Sequence, residues 1–340
     1  MFIVGLDLGK RKSQACVGTE DGKVVVEKRI DTTRDSLTEF FSKYQPVRVL
    51  VEASTGAEWV ARHLESLSVE VIVGDPRFGP MYAQADKRIK TDKRDARALM
   101  LANKLGAYQS AHRRQDSTRD LRAKLLVRAN LVRARARTVT QVRSLLDSRG
   151  IGVASCDVRK FVEKIDGLQV DQGIGLAMLP LVAQLRSLDE VIAVLDDELE
   201  EVAAANPIAH RLDQVVGIGA LTALAFVVAV DDPKRFENVR QVASYFGFVP
   251  RENSSGEKVH RGSSTKTGDT LTRSYLVQSA WCILRSTRPE VASLRAWATE
   301  ISKRRGKKIA VVALARRLVR ILFAMWRDEK DFDPAKLNNL

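Results

Sequence analysis

Two short apolar runs near the start of the chain each carry a single carboxylate. Residues 2–8 read FIVGLDL with Asp7 inside the run, and residues 47–53 read VRVLVEA with Glu52 near its end. Both runs are too short for helices and rich in branched apolar residues, so they read as strands buried in a sheet. An ionised acid in such a strand costs on the order of several kcal/mol unless it is paired with a base, protonated or bound to a cation. The fold must therefore bury both strands and give both carboxylates a partner.

The neighbouring sequence supplies the rest of a sheet. SQACVGT at 13–19, the turn residues Asp21-Gly22 and VVVEKRI at 24–30 make a three-strand meander with the first run. Helical stretches at 34–43 and 57–67 alternate with the second run and with VEVIVG at 69–74. The order βββαβαβ predicts an α/β domain of ribonuclease-H-like type. Downstream, KTDKRDARAL sets Asp92 and Asp95 three residues apart, on one face of a helix running to Leu105. Taken singly, these acids read as a strand-end acid, a helix cap and two members of a charged run. Taken together, Asp7, Glu52, Asp92 and Asp95 form a candidate all-oxygen site of the kind that suits Mg²⁺ or Mn²⁺ and phosphodiester chemistry.

From Asp116 to Arg149 there is no Pro or Gly, and Leu125, Val132, Val139 and Leu146 recur every seven residues. That helix is crowded with arginine. A second heptad pattern, Leu181 to Val202, is acidic through Asp189, Glu190, Asp196, Asp197, Glu198, Glu200 and Glu201. The two read as coiled-coil partners, either as an antiparallel hairpin through 150–176 or between two chains. The implied plan is an α/β domain carrying the four acids at 1–110, a coiled-coil connector at 111–205 and an all-α domain at 206–340.

In the last part, Gly217-Ile218-Gly219 between apolar stretches suggests a helix-hairpin-helix-like turn or a plain turn between core helices. Residues 253–269, NSSGEKVHRGSSTKTGD, read as a long polar loop. Arg251, Lys258, Arg261 and Lys266 around it are candidate phosphate contacts. Helical patterns follow at 269–286 and 289–304, then the basic run KRRGKK at 303–308 and a helix at 309–327 carrying Arg316, Arg317 and Arg320. With 56 Lys and Arg against 42 Asp and Glu, the formal charge of +14 points to a polyanionic partner. Cys16, Cys156 and Cys282 show no CxxC spacing, which argues against a disulfide framework or zinc knuckle and fits a reducing, cytoplasmic setting. The longest apolar stretch, 220–230, is far short of the roughly 20 residues that span a bilayer.

Assembled in order, GLDLGK, VEASTG, KTDKRDA, VVGIGALTA and GFVPRENSSGEK with KTGD resemble the one-ten family of insertion-sequence transposases, the bridge-RNA-guided DEDD recombinases, over nearly the whole chain. The resemblance implies RuvC-like catalytic acids at Asp7, Glu52, Asp92 and Asp95 binding Mg²⁺. It also implies a serine nucleophile at Ser255, with Ser254 as fallback, forming a covalent 5′-phosphoserine link to DNA. The implied partners are donor and target DNA, a structured noncoding RNA that chooses them by pairing, and further copies of the chain, as a dimer that becomes a tetramer on DNA. In that family the acidic domain of one protomer and the C-terminal domain of another complete one site. Glu257 departs from the second glycine that many relatives carry after the serine pair, and His260 is a candidate proton acceptor by proximity in sequence. Two other readings are a metal-only nuclease or junction resolvase using water, and a silent nucleic-acid-binding protein.

Overall fold

The computed structural model describes residues 1–82, 91–255 and 258–335, with backbone alone for 253–255 and 258–261. The chain divides into two compact units, Met1–Arg114 and Gln115–Leu340. The first is mixed α/β; the second is mostly helical.

In the first unit, strands β1 (Phe2–Asp7), β2 (Lys12–Thr19) and β3 (Val24–Asp31) form an antiparallel meander. Helix α1 (Arg34–Phe41) leads to β4 (Val47–Glu52), and α2 (Ala57–Glu65) leads to β5 (Glu70–Gly74). The sheet order is β3-β2-β1-β4-β5, with β1, β4 and β5 parallel. Each boundary lies within a residue or two of its sequence expectation, because the apolar runs are bounded by turn residues.

The alternation of strand side chains decides what covers each face. Val4, Leu6, Val17 and Val49 pack with Leu37, Phe40, Phe41, Val60 and Leu64 of α1 and α2. Ile3 and Cys16 turn the other way, onto Ala96 and Met100 of α3 (Asp92–Leu105). Between them Gly5 lets this helix come unusually close: a Cβ there would lie 2.1 Å from the Ala96 carbonyl oxygen and 2.2 Å from the Met100 nitrogen. Only glycine fits at that strand position.

A buried amide fixes the helix register. Asn103 is fully buried. Its Nδ2 donates to the Val4 and Arg48 carbonyls, each at 3.0 Å, while Arg48 Nε donates to its Oδ1 at 2.9 Å. One side chain thus ties α3 to both central strands.

The second unit begins with α4 (Asp116–Asp147), followed by short α5 (Phe161–Asp166) and long α6 (Gln172–Ala205). The Arg128–Asp196 contact at 2.6 Å and the Arg135–Asp189 contact at 2.8 Å run in opposite chain directions, so the pair is an antiparallel hairpin within one chain. Opposite charges on the two helices make this pairing complementary. Helix α6 starts nine residues earlier than the heptads indicated, capped by Asp171, and contains Pro180. The hairpin end is filled by Val142, Leu146, Phe161, Ile165, Ile174 and Leu185.

The remaining helices are α7 (Pro207–Leu212), α8 (Ala220–Val230), α9 (Val239–Tyr245), α10 (Thr270–Arg285), α11 (Ala292–Arg305) and α12 (Lys307–Arg327). Asn206 caps α7, accepting from the Ile208 and Ala209 amides at 3.0 and 2.9 Å, with Pro207 at the first helical position. Phe226 and Phe246 stack at 5.4 Å inside the core, with Trp326 beside them. No described helix is long and apolar enough to cross a membrane.

The stretch read as a long polar loop is instead a β-hairpin, β6 (Pro250–Ser255) and β7 (Lys258–Ser264). Pro250 and Val259 are the only apolar residues in the two strands, so the apolar alternation that announces a half-buried strand is missing. Backbone pairing, which sequence patterning does not register, organises it.

Candidate functional site

Adjacent parallel strands place two acids at one edge of the first unit. Asp7 ends β1 and Glu52 ends β4. Open α/β sheets place reactive groups outside the carboxyl ends of their strands. Thr91 caps α3 through its side chain, accepting from the Arg94 amide at 3.3 Å, and Asp92 and Asp95 occupy the first turn. Negative charge is favoured there by the helix dipole. Because Ala96 rests on Gly5, Asp95 is carried towards the ends of β1 and β4.

Tyr82, which closes the short helical turn Gly79–Tyr82, donates its hydroxyl to Glu52 Oε2 in a short contact. Burial, this hydrogen bond and the charges of Glu52, Asp7 and Asp95 all disfavour a phenolate and hold its pKa above the usual tyrosine range. Of the four candidate acids Glu52 alone contacts this hydroxyl, while Asp7 and Asp95 act on it through their charge. Asp92 is set apart, with its side chain 67% exposed and an oxygen 3.9 Å from the Arg29 guanidinium.

Glu27 on β3, nearly buried, receives Lys93 at 2.8 Å and Arg97 at 3.0 Å, which anchors the first turns of α3. Beneath it burial, aided by Glu27, pushes the Cys16 thiol up to about 11, so it stays protonated. Among the described residues no group of three or more Asp, Glu, His or Cys side chains is close enough to hold a metal ion. The donor chemistry nevertheless suits one: carboxylate oxygens only, as hard divalent cations prefer. Neither Tyr82 nor Glu27 stands out in the sequence, since a lone Tyr and a strand Glu carry no spacing signal.

In the second unit the candidate serines sit on β6, where Ser254 pairs with Val259 and Ser255 with Lys258 in backbone register. The side chains of Ser254, Ser255, Lys258, His260 and Arg261 lie outside the described residues, as does all of Glu257. Arg251 is exposed on β6 and Lys266 is exposed just after β7. The KTGD segment returns the chain to the core. Gly268 has φ +74, and a Cβ on it would lie 1.8 Å from the Tyr245 carbonyl oxygen, so no other residue is accommodated. Asp269 next to it is buried, caps α10 through the Thr272 amide at 2.8 Å and pairs with Arg122 of α4. Burial pushes its carboxyl up, but the Thr272 amide and the Arg122 guanidinium outweigh this and hold it below the ordinary aspartate range.

Acids at the ends of neighbouring core strands, in a chain of formal charge +14, are the kind of arrangement found in enzymes that work on nucleic acid. Comparison with known proteins is more specific. The model described as "Transposase", for the DEDD domain of IS110, matches residues 4–150, and the model described as "Transposase IS116/IS110/IS902 family" matches 209–295. The transposase for insertion sequence element IS1111A of Coxiella burnetii is 28% identical over 95% of this chain and 89% of its own. A probable family 20 transposase of Pseudomonas aeruginosa is 28% identical over 97% and 98%. The chain belongs to the IS116/IS110/IS902 family of transposases. Among solved structures, Thermus thermophilus RuvC aligns over 33% of this chain and 100% of its own, at 16% identity and a TM-score of 0.27.

Proposed function

We propose that this transposase cuts and rejoins DNA through a covalent phosphoserine at Ser255, assisted by a divalent cation held by Asp7, Glu52, Asp92 and Asp95. The observation that supports the acidic half is that Asp7 and Glu52 end adjacent parallel strands, β1 and β4, with Asp95 in the first turn of the helix packed on them. Like charges gathered at strand ends need a compensating cation, and their donors are all oxygen. Asp92 joins the set by rotating away from Arg29, to which it is only loosely held. Mg²⁺ or Mn²⁺ bound there would neutralise charge developing on the phosphodiester.

The chain's own groups do the remainder. Ser255 Oγ loses its proton and attacks phosphorus; an O–P bond forms to serine while the bond to the departing 3′-oxygen breaks, and that oxygen leaves as a 3′-hydroxyl after taking up a proton. Attack by a 3′-hydroxyl from another strand reverses the steps, restores the serine and needs no external energy source. Arg251, Lys258, Arg261 and Lys266 offer positive charge close in sequence to this serine, which a weak hydroxyl nucleophile requires. In the same reading the protein acts as a homo-oligomer, a dimer that becomes a tetramer on donor and target DNA, and a bridge RNA supplies sequence choice through base pairing. Its basic surface without an evident base-reading motif suits that division of labour.

The test is denaturing electrophoresis of labelled element-junction and target DNA after incubation with Mg²⁺, the adjoining RNA transcript and protein. Label should stay on the wild type and be absent with Ser255→Ala. Free cleaved ends from both proteins would instead establish a water-using nuclease.

A further inference from the structure

A groove of about 850 Å³ runs along one side of the second unit, between the β6–β7 hairpin and α12. Its floor is apolar and aromatic, with Phe248, Pro250, Trp297, Ile309 and Val312. Its rim is cationic: Lys266, Arg305, Lys308, Arg316, Arg317 and Arg320. Among the described residues no Asp or Glu lines it. Arg316 and Arg320 also line a second, smaller cavity with Arg240, so the positive track continues past the groove.

The cations form a stripe because their spacing follows the helix. Lys308, Arg316 and Arg320 stand at multiples of four along α12 and cover about 18 Å from first to last. Lys266, Arg305, Lys308, Arg316 and Arg320 are exposed, and among the described residues no carboxylate pairs with them. Arg317 lies over the Trp297 ring at 4.8 Å. Burial, and after it the neighbouring Arg320 charge, hold its guanidinium below its ordinary pKa. Cations gathered along one groove rim attract an anion that spans several of them at once.

We infer that this groove binds an unpaired DNA strand, with phosphates along the α12 stripe and a base against Trp297. The shape selects against duplex. Paired bases are sealed inside a stack, so a duplex would present phosphates to the rim and leave the apolar floor empty. An unpaired nucleotide brings both a flat apolar face and a negative charge. Position along the hairpin gives the strand a role. Pro250 lines the groove, and Ser255 lies five residues further along β6, about 17 Å away. The inference rests on the phosphoserine reading for its choice of DNA, and the groove would then hold the strand leading to the reacting phosphate.

The experiment is equilibrium anisotropy of a short fluorescein-labelled oligothymidylate with nucleic-acid-free full-length protein across a salt series. Arg316→Gln/Arg320→Gln should weaken binding about tenfold and lower the slope of log affinity against log salt by about 1.4, because each phosphate that is no longer neutralised removes about 0.7. Trp297→Ala should weaken binding about tenfold with the slope unchanged. Unlabelled duplex of equal length should compete poorly, and oligouridylate no better than oligothymidylate. Unchanged affinity in either variant, or stronger competition by duplex or RNA, would overturn the inference. Ser255→Ala should bind the strand like the wild type, so loss of covalent attachment tests the serine and loss of anisotropy tests the groove.

Discussion

Replacing Asn103 with Leu removes a single side chain far from the reacting groups, yet it should loosen the acidic site. The amide is fully buried and makes three hydrogen bonds: two to the Val4 and Arg48 carbonyls at 3.0 Å, and one from the Arg48 guanidinium at 2.9 Å. Each neutral bond is worth about 1 kcal/mol net and the charged one rather more, while leucine gains some of this back by apolar burial. A loss of about 3 kcal/mol remains, roughly a 150-fold rise in local opening. Asp95 lies eight residues away on the same helix, about 12 Å along its axis, so the loss falls on the element that positions it. Hydrogen-exchange mass spectrometry over peptides from α3 should show protection falling by about two orders of magnitude, and that of α10 unchanged. Protection in α3 within about fivefold of the wild type would refute the assignment of Asn103 as the clamp.

Tyr82→Phe frees Glu52 from its hydrogen bond, so Mg²⁺ affinity by isothermal titration should rise about tenfold, since a bond to a charged group is worth on the order of 1.5–3 kcal/mol. Asp7→Asn should lower that affinity, and no change in either variant would remove the acidic set as a cation site. Asp269→Asn should destabilise the second unit by about 1–3 kcal/mol at neutral pH. Because the folded pKa of Asp269 is depressed, its stabilisation is present above the unfolded value and lost as pH falls through the folded one; chemical unfolding should show the two proteins converging below about pH 4. A double-mutant cycle on Arg128→Ala and Asp196→Ala, read by unfolding, should give a coupling of about 1 kcal/mol, and zero coupling would mean that this ion pair does not stabilise the helix hairpin.

The sheet was legible because its signals are local. Each strand of the first unit is an apolar run bounded by turn residues, and the meander followed by two βα steps admits few arrangements. The charge asymmetry of α4 and α6 was equally visible, but not their direction, which emerged from ion pairs joining residues 54 and 68 positions apart. Asn103 and Gly5 were invisible for the opposite reason. An Asn inside a helix and a Gly inside a strand each look like weak formers of their elements, and only the contact between those elements shows what each is for.

The same distinction separates the two halves of the candidate site. The acids could be picked out because a carboxylate in an apolar strand is costly, and sequence records that cost directly. The cations could not be arranged in this way, since Lys and Arg are at ease in solvent and a basic run is usually an exposed face. Arg316, Arg317 and Arg320 acquire meaning only when the polar segment after Val249 folds back as a hairpin and closes a groove over Trp297. That hairpin has too few apolar residues to announce it, so a polar stretch read as a loop became a strand pair whose wall meets the cationic helix. Where function rests on buried charge, sequence exposes it through expense; where it rests on exposed charge, the shape that gathers the charges has to be seen.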